Sequence, residues 1–229
     1  MSPQGASLEG LFVTGTDTGV GKTFVASALC LALRRMGRPV VGFKPFETGC
    51  TPRPADADAL EAAAGSGLPL DLRCPFRYRE AIAPAVASAR LKEPRRRRLV
   101  AALRLVRSGG AGRFAVVEGA GGLLAPLDGE LTNLDLAREL RLPVVLVARN
   151  ALGTLNHTCL TLEVLRQQGL APVAIVLSGT AARDPSQRDN AAWIRRLAHV
   201  KTILDLPRCT LAGASGRLGR WLAPRLQVG

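Results

Sequence analysis

Short apolar runs alternate along the chain with longer stretches whose apolar residues recur every three or four positions. Leu11 to Gly15, VVGF within Arg38 to Pro45, Phe114 to Glu118, Pro143 to Ala148, Pro172 to Ser178 and Thr202 to Leu204 read as buried strands. Helical spacing marks Lys22 to about Met36, Ala55 to Ala64, Ala85 to Leu91, Arg95 to Val106, Asn133 (as cap) to Leu140, about Leu155 to Gln168, Asn190 to Ala198, and Gly213 to Leu226. Glycines at 37 and 169 follow two of these helices, where a left-handed backbone ends a helix. Strands alternating with helices predict an α/β fold: a mostly parallel central sheet with helices on both faces. The segment from Gly65 to Pro84 is rich in Gly and Pro and matches neither pattern.

At 229 residues the expectation is a single domain spanning 1–229, large enough to bury a substantial core. Aromatics make up only 4% of the chain, so that core is built from Ala, Leu and Val. The first ten residues carry neither a basic region nor an apolar stretch, and no apolar run approaches the roughly 18 residues that span a bilayer. No membrane association and a cytoplasmic location are expected. Five scattered cysteines, with no Cys-x-x-Cys, fit reduced thiols better than a disulfide framework or zinc site. The net charge of +13 invites a nucleic-acid partner, but the densest basic run, Arg95 to Arg98, lacks interleaved aromatics. It reads as a solvated helix face, and no nucleic-acid partner is expected.

The chemistry concentrates in GTDTGVGKT, Gly15 to Thr23, set between the first strand and the first helix. Glycine there permits left-handed backbone and close ligand approach, and the free N–H groups of a helix start attract phosphate oxygens. Lys22 is placed to reach the β/γ-phosphates and Thr23 to meet Mg²⁺, which makes the fold P-loop NTPase-like. Five residues, Thr16 to Val20, separate the first glycine from the Gly-Lys pair, where the general motif has four. Only four of the 31 basic residues are lysine, yet one stands at the phosphate position. A second lysine, Lys44, falls at the carboxyl end of a strand, where open α/β sheets bind ligands. Glu118 closes another strand before Gly119, Ala120, Gly121 and Gly122, a place suited to a metal partner. Asp56 and Asp58 lie in the first turn of a helix, where acids suit the macrodipole. Asn156 and His157 begin a later helix whose N–H groups could hold a carboxylate.

Together GTDTGVGKT at 15–23, GFKPFETG at 42–49, Asp-Ala-Leu at 58–60, VVEGAGGLLAPL at 116–127 and LGTLNHT at 152–158 resemble the dethiobiotin synthetases. The order and spacing match along nearly the whole chain, and the five-residue gap is that family's variant. The resemblance implies a ligase of biotin biosynthesis that converts 7,8-diaminopelargonate, CO₂ and MgATP to dethiobiotin, ADP and phosphate. It implies that Lys22 stabilises the transferring phosphoryl group, that Lys44 holds a carbamate, and that Thr16 faces the reacting centre. Thr48 would hydrogen-bond the substrate, and Thr23, Asp58 and Glu118 would surround Mg²⁺. The nucleotide would meet Gly19, Val20, Gly21, Lys22, Thr23, Phe24, Asp58, Glu118, Gly119, Ala120, Gly121, Ser178, Gly179 and Pro207. The family usually presents Asn to adenine where this chain has Ser178, and a Pro-His pair where it has Pro84-Ala85. The resemblance also implies a homodimer in which Gly153, Thr154 and Asn156 reach the substrate's carboxylate across the interface. Two other classes share the phosphate loop. A cobyrinate-type synthetase would need a glutaminase domain for which the chain has no room, and a partitioning ATPase would need a lysine early in the loop, where residues 14–18 have none.

Overall fold

The computed structural model describes residues 9–89, 104, 106, 112–180 and 185–226. In chain order these form β1 (Gly10–Gly15), α1 (Lys22–Arg35), β2 (Val40–Phe43), β3 (Phe46–Thr48), α2 (Ala55–Ala64), α3 (Leu70–Arg73) and β4 (Phe76–Tyr78). There follow α4 (Pro84–Ser88), β5 (Phe114–Glu118), α5 (Asn133–Leu140), β6 (Val144–Arg149), α6 (Thr154–Gln167), β7 (Ala174–Thr180), α7 (Asn190–Ala198), β8 (Ile203–Pro207) and α8 (Leu211–Leu226). Apart from Arg104 and Val106, the helix expected over 95–106 lies outside the described residues, as does the basic run 95–98.

Six strands make one sheet in the order β2-β5-β1-β6-β7-β8, with every neighbouring pair parallel. A parallel sheet is covered on both faces, so its strands must be apolar throughout, and β1, β2 and β5 are buried at every position. Alternate side chains serve two cores. On one face Leu11, Val13, Val116, Val145 and Val147 meet Leu29 and Leu33 of α1, Leu60 of α2, and Leu218 and Leu222 of α8. On the other, Phe12, Val117, Leu146 and Ile175 meet Leu136 of α5, Leu165 of α6 and Ile194 of α7. Gly42 lets α2 lie close: a Cβ there would stand 2.7 Å from the Leu60 Cβ.

β3, β4 and the start of α5 depart from the sequence expectation. β3 and β4 form a separate two-stranded parallel sheet within stretches that the pattern left unassigned. Each has three residues, too few for alternation to register, and the stacked rings of Phe46 and Phe76, 4.8 Å apart, join them. The cap of α5 is Thr132 rather than Asn133: Thr132 and Asp135 form a reciprocal capping box. Asn133 is thereby released for another task.

Candidate active site

The loop after β1 is shaped by two left-handed glycines, Gly19 (φ 69°) and Gly21 (φ 98°). Gly21 caps α1 without any side-chain bond, which leaves the first-turn N–H groups free to meet an anion. Lys22 lies buried in the loop and its Nζ donates to the Asp17 carbonyl at 2.7 Å. Burial, and next the neighbouring Lys44 ammonium, lower its pKa to about 8.

Strand register builds the second part. Phe43 pairs with Val117 across β2 and β5, so the next residues, Lys44 and Glu118, emerge side by side at the carboxyl edge. Lys44 Nζ lies 2.5 Å from Glu118 Oε1, 2.9 Å from Asp56 Oδ2 and 3.2 Å from the Gly119 carbonyl. Burial disfavours its charge, but Glu118 and Asp56 outweigh that and hold the ammonium well above its ordinary pKa. Burial pushes Glu118 up against the pull of Lys44. Asp56 goes the other way, since Lys44 and the Thr23 hydroxyl overcome its desolvation and hold its carboxyl down. Thr23 Oγ1 donates to Glu118 Oε1 at 2.8 Å, which links the phosphate loop to this cluster. The other oxygen, Glu118 Oε2, is buried with no hydrogen-bond partner among the described residues.

Loop and cluster open into one cleft of about 730 Å³. Of the residues expected to bind nucleotide or substrate, Gly19, Gly21, Lys22, Thr23, Phe24, Lys44, Thr48, Glu118, Ala120 and Gly121 line it. Val20 packs in the core, and Gly119 abuts Asn133, whose Oδ1 would lie 2.8 Å from an added Cβ. Ser178 stands at the end of β7 against the loop, its Oγ 2.6 Å from where a Cβ on Gly21 would be. Gly179 follows it, and Pro207 pairs with Thr180 at the end of β8. Gly153, Thr154 and Asn156 begin α6 and do not line the cleft.

Two assignments are corrected. Asp58 does not join the cluster: it pairs with the exposed Arg53 at 2.8 Å, and Asp56 takes its place. Successive helical residues turn by about 100°, so positions two apart point to opposite sides and only one can face Lys44. Thr16 does not face the reacting cleft either. It lines a second hollow with Gly122, Leu123, Leu160 and Val164, while Thr18 borders the main cleft. Thr18 borders both hollows and Thr16 only the second, which spacing alone does not reveal.

Six further residues take roles at the site that the sequence pattern does not mark. Glu47 lines the cleft from β3 and accepts hydrogen bonds from the backbone N–H groups of Asp56 and Ala57. Asn133 ties down the loop after β5, accepting from Ala120 N and donating to the carbonyls of Ala120 and Gly122. Ala81 to Pro84 complete the lining of the cleft.

A parallel sheet with a phosphate loop leading from its β1 into a helix, and a lysine–carboxylate cluster beside it, defines a P-loop nucleoside-triphosphate enzyme. A family model described as an AAA domain matches residues 9–214. The archaeal cell-division ATPase MinD of Pyrococcus furiosus superposes with a TM-score of 0.58 over 95% of this chain and 99% of its own, at 16% identity, which speaks for the fold alone. The ATP-dependent dethiobiotin synthetase of Anaeromyxobacter dehalogenans strain 2CP-C is 46% identical, covering 96% of this chain and all of that protein. Those of Caulobacter vibrioides NA1000 and Bacillus cereus B4264 are 41% and 35% identical over 88% and 87% of the chain, and 93% and 84% of their own lengths. The chain belongs to the dethiobiotin synthetase family.

Proposed function

We propose that this chain carries out the ATP-dependent carboxylation and ring closure of 7,8-diaminopelargonate with CO₂, giving dethiobiotin, ADP and phosphate. The observation that carries it is the placement of Lys44, between Glu118 and Asp56, in the same cleft as the phosphate loop. One substrate amine adds to CO₂ and loses a proton to form a carbamate. A carbamate oxygen attacks the γ-phosphorus, and the bond to ADP breaks. The second amine then attacks the carbonyl carbon of the mixed anhydride, phosphate leaves and the ring closes.

The protein's part is placement and charge. Lys44 presents a fixed ammonium to the carbamate, and Lys22 with the loop N–H groups draws the triphosphate's terminal oxygens toward it. Thr48, on the cleft wall, is placed for the diamine. Mg²⁺ fits these residues: Thr23, Asp56 and Glu118 offer hard oxygens, and Glu118 Oε2, buried with no hydrogen-bond partner among the described residues, is an acceptor that a cation would satisfy. This ion takes one or two carboxylates together with substrate phosphates, and when bound it neutralises charge between them. A homodimer is part of the same proposal. The start of α6 lies off the cleft, and Leu152 (90% exposed) and Leu160 (60%) leave apolar surface on and beside that helix. A second copy there would bring Gly153, Thr154 and Asn156 to the diamine's carboxylate. The five unpaired thiols are in keeping with a cytoplasmic location.

The test is product formation. Purified protein with 7,8-diaminopelargonate, bicarbonate, Mg²⁺ and each nucleoside triphosphate in turn should yield dethiobiotin by mass detection, together with phosphate. Phosphate released without the diamine, and no dethiobiotin, would point to a switch-type ATPase instead.

A further inference from the structure

Glu47 is a buried carboxylate in the cleft that the reaction itself does not employ. It is 4% exposed, in the middle of β3, yet Lys44 turns from it to Glu118 and Asp56. Both its oxygens are directed at one target. Oε1 accepts from Asp56 N and Oε2 from Ala57 N, each at 2.9 Å. α2 starts after Pro54 with no side-chain cap of its own, so Glu47 supplies from the preceding strand what a Ser or Asp cap would supply within the first turn. Cys74 Sγ, 3.9 Å from Oε2, and the Phe46–Phe76 stack hold β3 and its carboxylate in place. A helix seated by a two-pronged contact at residues 56 and 57 has its rotational phase fixed at those residues. That phase decides whether Asp56 or Asp58 faces Lys44.

We propose that Glu47 is the positioning residue for Asp56. It clamps the first turn of α2 so that the Asp56 carboxylate is preset beside Lys44 and Thr23, where the divalent cation of the nucleotide is to be met. The role presupposes that Asp56 serves Mg²⁺, as proposed above. Residues that orient metal ligands from behind commonly change metal affinity by roughly 10- to 100-fold when replaced. In Glu47→Gln an amide N–H would confront one of the two backbone donors, so the clamp is lost at nearly constant volume. Glu47→Asp keeps the charge but draws it back by one methylene.

The test is calorimetric titration of a non-hydrolysable ATP analogue, with Mg²⁺ and with EDTA, into wild type, Asp56→Asn, Glu47→Gln and Glu47→Asp. Mg²⁺ should strengthen binding to the wild type and lose that effect in Asp56→Asn. In Glu47→Gln the apparent Mg²⁺ affinity should fall on the order of 10-fold, with the metal-free analogue bound as in wild type, and Glu47→Asp should lie between. A merely structural residue would instead weaken metal-free binding equally. Wild-type Mg²⁺ affinity in Glu47→Gln, beside its loss in Asp56→Asn, overturns the role of Glu47. Wild-type affinity in Asp56→Asn overturns the metal assignment itself. Should Glu47→Gln not fold, the same comparison is read on Glu47→Asp.

Discussion

The two ends of the cleft are built in opposite ways. The phosphate end is nine consecutive residues, Gly15 to Thr23, and its anion site is largely backbone N–H at the start of α1. The lysine–carboxylate end gathers Lys44, Asp56 and Glu118 from three segments, with Glu47 behind them on a fourth. The first end is local geometry and survives as long as β1 and α1 do. The second depends on strand register and on the seating of α2, and a side chain displaced by an ångström there changes the chemistry. The comparison predicts that the ends fail differently, the first in binding of the nucleotide itself and the second in its Mg²⁺ dependence and in ring closure.

The sharpest way to separate them is Lys44→Ala. Its affinity for nucleotide should stay within about threefold of wild type while dethiobiotin formation falls on the order of 10³-fold, as for loss of a charge aimed at the reacting centre. Titration and product assay check both, and equal loss of nucleotide affinity would merge the two ends. Next in size is a pair of acids two residues apart. Asp56→Asn should slow turnover roughly 100-fold, whereas Asp58→Asn, which loses only a partner on the surface, should leave it nearly unchanged. The reverse ranking in steady-state kinetics would restore Asp58 to the site.

The smallest effect concerns pH and belongs to the phosphate end. Burial and the neighbouring Lys44 lower the Lys22 pKa to about 8, so above that pH the free protein carries a neutral amine. Phosphate oxygens favour the ammonium and raise that value, so binding takes up a proton. Nucleotide affinity should be flat below pH 8 and fall above it, by at most about tenfold per unit for one linked proton. Calorimetry in buffers of different ionisation enthalpy would show the uptake, and affinity independent of pH between 7 and 9 would remove Lys22 from the account.

The same contrast explains what the sequence discloses. The phosphate loop, Lys44 and Glu118 are legible because each lies within or at the edge of an element whose pattern is strong: a buried strand, then glycine or helix. The parallel sheet is legible for the same reason. Asp56 and Asp58 are equivalent in sequence, both in a first turn, and the choice between them is made by Glu47 and by Leu60 packed on Gly42. Thr16 and Thr18 are likewise equivalent until the loop's path separates them. β3 and β4 are too short to show a period, and Glu47 and Asn133 act on backbone that is distant in the chain or reached only by a fold of the loop. How the segments fold against one another decided each of these, and composition carries no trace of it.

The claim at the centre is that the triphosphate is consumed through the carbamate held at Lys44, so that one cleft couples its two ends. The direct measurement is a turnover with ¹⁸O-labelled bicarbonate and unlabelled ATP, followed by mass analysis of the phosphate. The carbamate oxygen that attacks the γ-phosphorus leaves with it when the ring closes, so one ¹⁸O should appear in phosphate for each dethiobiotin formed. Dethiobiotin accompanied by unlabelled phosphate would contradict the account.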